Sequence, residues 1–153
     1  MVDIKQIKNL RDKTGISIAQ CKQALEETKG DMDKALELLK AKGAEIANKK
    51  SGRNLRAGTI SAYVHGGGVL AAMVKLACET DFVAKNQEFK DLAFDLAMQA
   101  VASDTDIEDF LKEPFIKDPS VTVDDLLKSF IQKFGERVEI LDIVRLDLSE
   151  GGE

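Results

Sequence analysis

The chain has 153 residues, one or two domains in length, and its 22 Lys and Arg against 27 Asp and Glu give a formal net charge of −5. Apolar residues make up 44%, yet no apolar run nears the roughly 20 residues that span a bilayer, and the start, MVDIKQIKNLRDKTG, suits neither a signal peptide nor a transit peptide. One His and two Cys exclude a disulfide-stapled scaffold and a common zinc site, so a cytoplasmic protein with no metal and no cofactor is expected.

Residues 1–47 read as three short helices. Ile4, Ile7 and Leu10 mark one face of the first, and Gly15 suits the left-handed residue that ends it. Ser17 with Gln20 forms a capping box for the second, whose apolar face is Ile18, Cys21 and Leu25. Gly30 ends that helix and Asp31 caps the third, where Met32, Ala35, Leu36 and Leu39 share a face and Gly43 is the expected stop. Residues 48–58, NKKSGRNLRAG, read as a basic linker or a frayed extension of the third helix. Charge follows this division: residues 1–56 hold 13 basic and 8 acidic side chains, and residues 57–153 hold 9 and 19. Such asymmetry favours modules that meet different partner surfaces.

From residue 59 the period changes. Gly66-Gly67-Gly68 between two β-rich runs signals a hairpin. In the first run Ile60, Ala62 and Val64 alternate with Thr59, Ser61 and Tyr63. The second, Val69 to Cys78, is so continuously apolar that a central strand covered on both faces is expected. Residues 80–103 read as one long helix, capped by Thr80, with Asp81 at its positive end. Phe89, Leu92, Ala93, Leu96 and Ala100 form one stripe of it, and Phe94, Met98 and Val101 a second, which predicts burial on two sides. An acidic stretch with both prolines follows and reads as a short helix and a loop. A helix over Val123–Phe134, ended by Gly135, and a strand over Val138–Leu148 complete the pattern; residues 149–153 should fray. The predicted class is α+β: a bundle at 1–47, a linker at 48–58, and a helix-covered core with a small, roughly three-stranded antiparallel sheet at 59–148.

Catalytic groups are scarce. His65, the only histidine, sits beside the Gly-rich turn and reads as a solvated turn residue. Cys21 and Cys78 lie in apolar surroundings and read as small hydrophobes. The triple glycine lacks a phosphate-loop pattern, and no helix follows it. Lys49, Lys50, Arg53 and Arg56 have no interleaved aromatic to stack bases. No catalytic residue is assigned, and an enzyme is not expected. Phe82 is more informative, because its i+3 and i+4 neighbours, Lys85 and Asn86, are polar. Periodicity leaves two readings open: an exposed anchor for a partner pocket, or packing on Phe89.

Two segments carry a resemblance. The first is Ile7-Lys8-Asn9-Leu10-Arg11-Asp12-Lys13-Thr14-Gly15, followed by Cys21-Lys22-Gln23-Ala24-Leu25-Glu26-Glu27 and Gly30-Asp31. The second is Cys78-Glu79-Thr80-Asp81-Phe82-Val83-Ala84-Lys85-Asn86. Both closely resemble the signatures of bacterial elongation factor Ts. Glu113-Pro114-Phe115-Ile116-Lys117 and Gly135-Glu136-Arg137-Val138 extend the likeness. The resemblance implies a ubiquitin-associated-type bundle and a guanine-nucleotide exchange factor for the translational GTPase elongation factor Tu. It implies that Thr80, Asp81, Phe82 and Val83 reach the GTPase near its magnesium, with Phe82 as the wedge. Arg11, Ile18 and Ala19 would meet the nucleotide domain, though family members often carry Met-Met where Ile18-Ala19 stands. Long members have two core subdomains and a coiled-coil insertion, and this chain has room for one core. A homodimer through the sheet is the matching expectation. Two other classes stand beside this reading. One is a ubiquitin-associated-like interaction adaptor, and the other a ribosome- or RNA-associated factor that uses the basic linker.

Overall fold

A computed structural model describes residues 1–149, so all of the expected frayed tail except Ser149 lies outside the described residues. In chain order the elements are α1 (Ile4–Thr14), α2 (Ile18–Glu27), α3 (Met32–Lys50), β1 (Ala57–His65), β2 (Leu70–Cys78), α4 (Asp81–Ala84), α5 (Gln87–Val101), α6 (Ile107–Lys112), β3 (Pro114–Phe115), β4 (Asp118–Thr122), α7 (Val123–Phe134) and β5 (Glu139–Asp147). The chain is α+β, with an N-terminal helical region and a three-stranded antiparallel sheet. It divides into two units: Met1–Gly52 with Asp125–Glu136, and Arg53–Asp124 with the residues from Arg137 on.

In the first unit each helix start is satisfied by a side chain, because the first N–H groups of a helix have no partner within it. Asp3 and Gln6 form a capping box at α1. Ser17 accepts from the Gln20 N–H at 3.3 Å. The Gln20 side chain, expected to close a capping box, instead accepts from Gln132 Nε2 at 2.6 Å. Asp31 accepts from the Lys34 N–H at 3.1 Å, and that bond holds its carboxyl below the ordinary carboxylate value. Gly15 takes the left-handed conformation, φ 68°, and donates its N–H to the Arg11 carbonyl. Leu10, Ile16, Cys21, Ala24, Leu25, Ala35 and Leu39 form the core between the three helices, with Ile7, Met32 and Leu36 packed against it.

Gly43 does not end α3, which runs on to Lys50, so the expected linker at 48–58 shrinks to the residues between Lys50 and Ala57. Gly43 serves a different need. A Cβ built there would lie 2.9 Å from Gln132 Oε1 and 3.6 Å from the Lys128 carbonyl oxygen, so α7 packs close against α3 at this point. Lys40 pairs with Asp125 at 3.0 Å alongside. Most of α7 is therefore grouped with the N-terminal helices, whereas its place in the sequence puts it with the α+β core. A helical period shows that a helix has an apolar face but not which neighbour covers it.

In the second unit the strand order is β1-β2-β5. The Gly66-Gly67-Gly68 hairpin forms as expected, with all three residues at positive φ. Across the ladder Ala62 faces Met73 and Met73 faces Val144; Val64 faces Ala71 and Ala71 faces Leu146. α5 lies over the opposite face, where Val74 and Leu76 are fully buried with Phe89, Leu92, Ala93, Leu96 and Ala100. Here two expectations fail. β2 is covered on both faces only at its end, where Ala77 and Cys78 are buried; earlier in the strand α5 covers one face, and Met73 and Lys75 point away from it. The second stripe of α5 is only partly buried: Phe94 stays exposed and meets Tyr63 edge-on, with ring centroids 5.9 Å apart.

The acidic connector forms the expected short helix, but a small hairpin stands where a loop is expected. It holds α6 and the small β3–β4 hairpin, and Gln99 of α5 ties that hairpin down. Its Nε2 donates to Glu113 and to the Pro114 carbonyl, and its Oε1 accepts from the Ile116 N–H at 3.1 Å. A buried amide needs such complete pairing, since an unmet polar group there is costly. Among the described residues no helix is long and apolar enough to cross a membrane.

The close approach at Gly43 yields a test. Gly43→Leu should destabilise the chain by about 1–3 kcal/mol, the usual cost of overpacking, despite the better helix propensity of Leu. Chemical denaturation followed by circular dichroism measures it. A more stable variant would show that α7 does not press on α3.

Candidate functional site

The segment after β2 does not continue into one long helix. α4 covers only Asp81–Ala84, and a second helix, α5, starts at Gln87 with Asn86 as its cap, whose Oδ1 accepts from the Glu88 N–H at 2.8 Å. Asn competes with the backbone for its hydrogen bonds, which favours a cap over a helix interior. Thr80 caps α4 and accepts from the Val83 N–H at 3.4 Å.

This break decides the state of Phe82. Val83 and Ala84 turn inward and are buried, which fixes the other side of the short helix outward. Phe82 stands on that side with 86% of its surface exposed, whereas Phe89 is fully buried. The packing of Phe82 on Phe89 does not form. Thr80, Asp81 and Phe82 are all exposed, and Val83 anchors them.

Glu79, immediately before this segment, is held from two directions. Its Oε2 accepts from the Arg137 backbone N–H at 2.6 Å, and its Oε1 lies 3.4 Å from Arg53 Nη1. Arg137 Nη1 donates to the Arg53 carbonyl at 2.7 Å, and Nη2 pairs with Glu139. The Cys78 thiol is buried and donates to the Thr80 carbonyl at 3.3 Å.

Arg11, Ile18 and Ala19 belong to the other unit, on either side of the turn between α1 and α2, and all three are exposed. Ile18, 55% exposed in the first turn of α2, is the apolar member of that group. Cys21 beneath it is buried, which pushes its thiol above the ordinary value. His65 is exposed at the hairpin and its Nδ1 lies 3.0 Å from the Tyr63 hydroxyl. Among the described residues no three His, Cys, Asp or Glu side chains are grouped to hold a metal ion.

A second feature emerges on the uncovered face of the sheet. Ile60, Val64, Met73, Val144 and Leu146 are all exposed there, with Ile60 and Leu146 each at 66%. The register sets Ala62, Met73 and Val144 in one row and Val64, Ala71 and Leu146 in the next, which makes a contiguous apolar surface, and Ile60 extends it along β1 into a row it shares with Lys75 and Asp142.

Residues 79–152 match the family model for Elongation factor TS. The chain is 38% identical to "Elongation factor Ts" of Carboxydothermus hydrogenoformans, over 99% of the chain and 91% of the relative. It is 35% identical to "Elongation factor Ts" of Desulforamulus reducens over the same shares. The chain belongs to the elongation factor Ts family. A further relative, from Nostoc, is 37% identical over 97% of the chain, which spans 47% of that relative's length. The Carboxydothermus alignment runs over 197 positions and the chain has 153 residues, so that relative carries at least 44 residues without a counterpart here.

The open sheet face and the Glu79 contacts are not assigned from sequence. Lys75, set between apolar neighbours, is the available sign that alternate residues of β2 face outward. Nothing local marks the contacts of Glu79, whose partners lie 26 and 58 residues away.

The exposure of Phe82 predicts that Phe82→Ala changes stability by less than about 0.5 kcal/mol, as is usual for a surface site. Phe89→Ala should cost about 3–5 kcal/mol. Thermal melts of the two variants separate the cases. A large loss for Phe82→Ala would mean that the ring is packed.

Proposed function

We propose that the chain is a guanine-nucleotide exchange factor for elongation factor Tu, and not an enzyme. The observation that carries this reading is Phe82, an aromatic held outward on a four-residue helix whose neighbours Val83 and Ala84 are anchored in the core. A fixed, exposed aromatic is the kind of side chain that acts as an interface hot spot. Thr80, Asp81, Phe82 and Val83 approach the GTPase beside its bound magnesium. Phe82 wedges into that protein and disturbs the groups that hold the ion. GDP then loses the counter-charge on its phosphates and leaves. Factor and nucleotide each weaken the other's binding, so GTP in excess expels the factor and completes the cycle. Arg11, Ile18 and Ala19 supply a second contact, from the exposed turn between α1 and α2, to the nucleotide domain.

The measurement is release of labelled GDP from elongation factor Tu with increasing amounts of this protein. Release should accelerate, and Phe82→Ala should lose about thirtyfold, the equivalent of a roughly 2 kcal/mol hot spot. No acceleration by the unmodified protein would place it among interaction adaptors instead.

The same reading pairs two copies of the chain through the open sheet face. A contiguous surface that includes Ile60, Val64, Met73, Val144 and Leu146 is costly to leave in water, and a second copy offers a like surface related by two-fold symmetry. Sedimentation at micromolar concentration should give a dimer, and Leu146→Asp should shift it toward monomer. A monomer that exchanges at the full rate would overturn the pairing.

A further inference from the structure

We propose that Glu79 is a positioning residue for the segment Thr80–Val83: its carboxylate fixes where α4 begins and so where Phe82 stands. This rests on the exchange reading above. A helix of four residues has too few internal hydrogen bonds to hold its own place, so its position comes from what flanks it. On the far side Asn86 caps α5. On the near side the strand pairing of β2 ends at Cys78, and Glu79 is the first residue beyond it.

Glu79 makes that end rigid through a closed loop of contacts. It accepts from the Arg137 N–H at 2.6 Å and faces the Arg53 guanidinium at 3.4 Å, and Arg137 in turn donates to the Arg53 carbonyl at 2.7 Å. Its side chain is only 16% exposed, so the carboxylate is screened little by water. Charge-assisted bonds of this kind are shorter and stronger than neutral ones, and a largely buried carboxylate without them would be costly. Arg53 follows Gly52, and Arg137 follows Glu136, so each is the first residue of this unit after the chain leaves the other. One carboxylate thus ties both of these crossing points to the start of the exchange segment. Glu79 touches neither the GTPase nor its nucleotide in this scheme; it acts through Phe82.

The test measures GDP release from elongation factor Tu against factor concentration for the full chain with Glu79→Ala, Glu79→Gln, Phe82→Ala and the double variant Glu79→Ala/Phe82→Ala. Glu79→Ala should lower the maximal rate about tenfold, since small misplacements of a positioned group have large effects, with the half-saturating concentration moving less than about threefold. Glu79→Gln should lose less, about threefold, because its amide oxygen still accepts from the Arg137 N–H. In the Phe82→Ala background Glu79→Ala should add almost nothing, as expected for two residues that act as one unit. If Glu79→Ala does not fold by circular dichroism, Glu79→Gln and Arg53→Ala take its place, each expected to lower the maximal rate about threefold, with no further loss when combined. A full maximal rate in the folded Glu79 variants, or losses that multiply with Phe82→Ala, would overturn the positioning role alone. A full rate in Phe82→Ala would overturn the wedge role of Phe82, and this proposal with it, whereas no acceleration by the unmodified chain would overturn the exchange reading.

Discussion

One long helix, α5, supplies most of the cover on one face of a three-stranded sheet and leaves much of the other exposed, and much of the second unit follows from that constraint. α5 buries Val74 and Leu76 beneath Phe89, Leu92 and Leu96. The register then turns alternate residues of all three strands away from it. Because β1 and β2 are joined by a tight glycine turn and β5 returns beside β2, the outward residues fall in rows. The apolar surface they form is a consequence of how few layers the unit has. Nothing in the strands would keep such residues apolar if that face met only water, since a polar residue fits an exposed sheet position equally well.

The same covering helix explains α4. α5 must start at a height set by Phe89 and Leu92, yet β2 ends at Cys78, so the chain has to cross from the sheet to the helix layer within a few residues. One continuous helix would carry the direction of α4 straight on. The Asn86 cap allows a change of direction instead. Val83 and Ala84 take up the apolar space at this corner, and Phe82, their neighbour on a single turn, has no inward place left.

Local patterns make much of this legible, and long-range ones do not. The helices of the first unit are readable because spacing and caps agree: Asp31 with Lys34, Gly15 after Thr14, and Leu10, Cys21, Leu25 and Leu39 facing inward. The hairpin is readable from three glycines. The break at Asn86 is masked because Val83, Ala84, Phe89 and Leu92 continue to suggest a helical face across it. β2 is easily mistaken for a strand covered on both sides, because its alanines carry little information about which face is covered and Lys75 alone marks the open one. The company kept by α7 depends on Gly43, Gln20 and Lys40, all more than 80 residues away in sequence. Phe82 stands out in the sequence for its polar neighbours, but the physical cause of its exposure is the cap that stops the helix there. The partner proposed for it rests on the family, and no spacing of residues could supply one.

The two exposed apolar features differ in a way that suits the roles proposed for them. A contiguous sheet face removes a large area from water at once, which favours a long-lived pairing. A single aromatic offers little area, and its gain on burial is of the order of a few kcal/mol. An exchange factor has to leave once GTP has bound, and affinity is tuned mainly through the rate of dissociation. A wedge of one residue meets that need, provided that little of its binding energy goes into ordering the loop that carries it. Val83 and Ala84 in the core, the Thr80 cap and the Asn86 cap hold that loop before any partner arrives. What remains to be ordered is the ring's own rotation about two bonds, a small entropic cost compared with fixing a free loop.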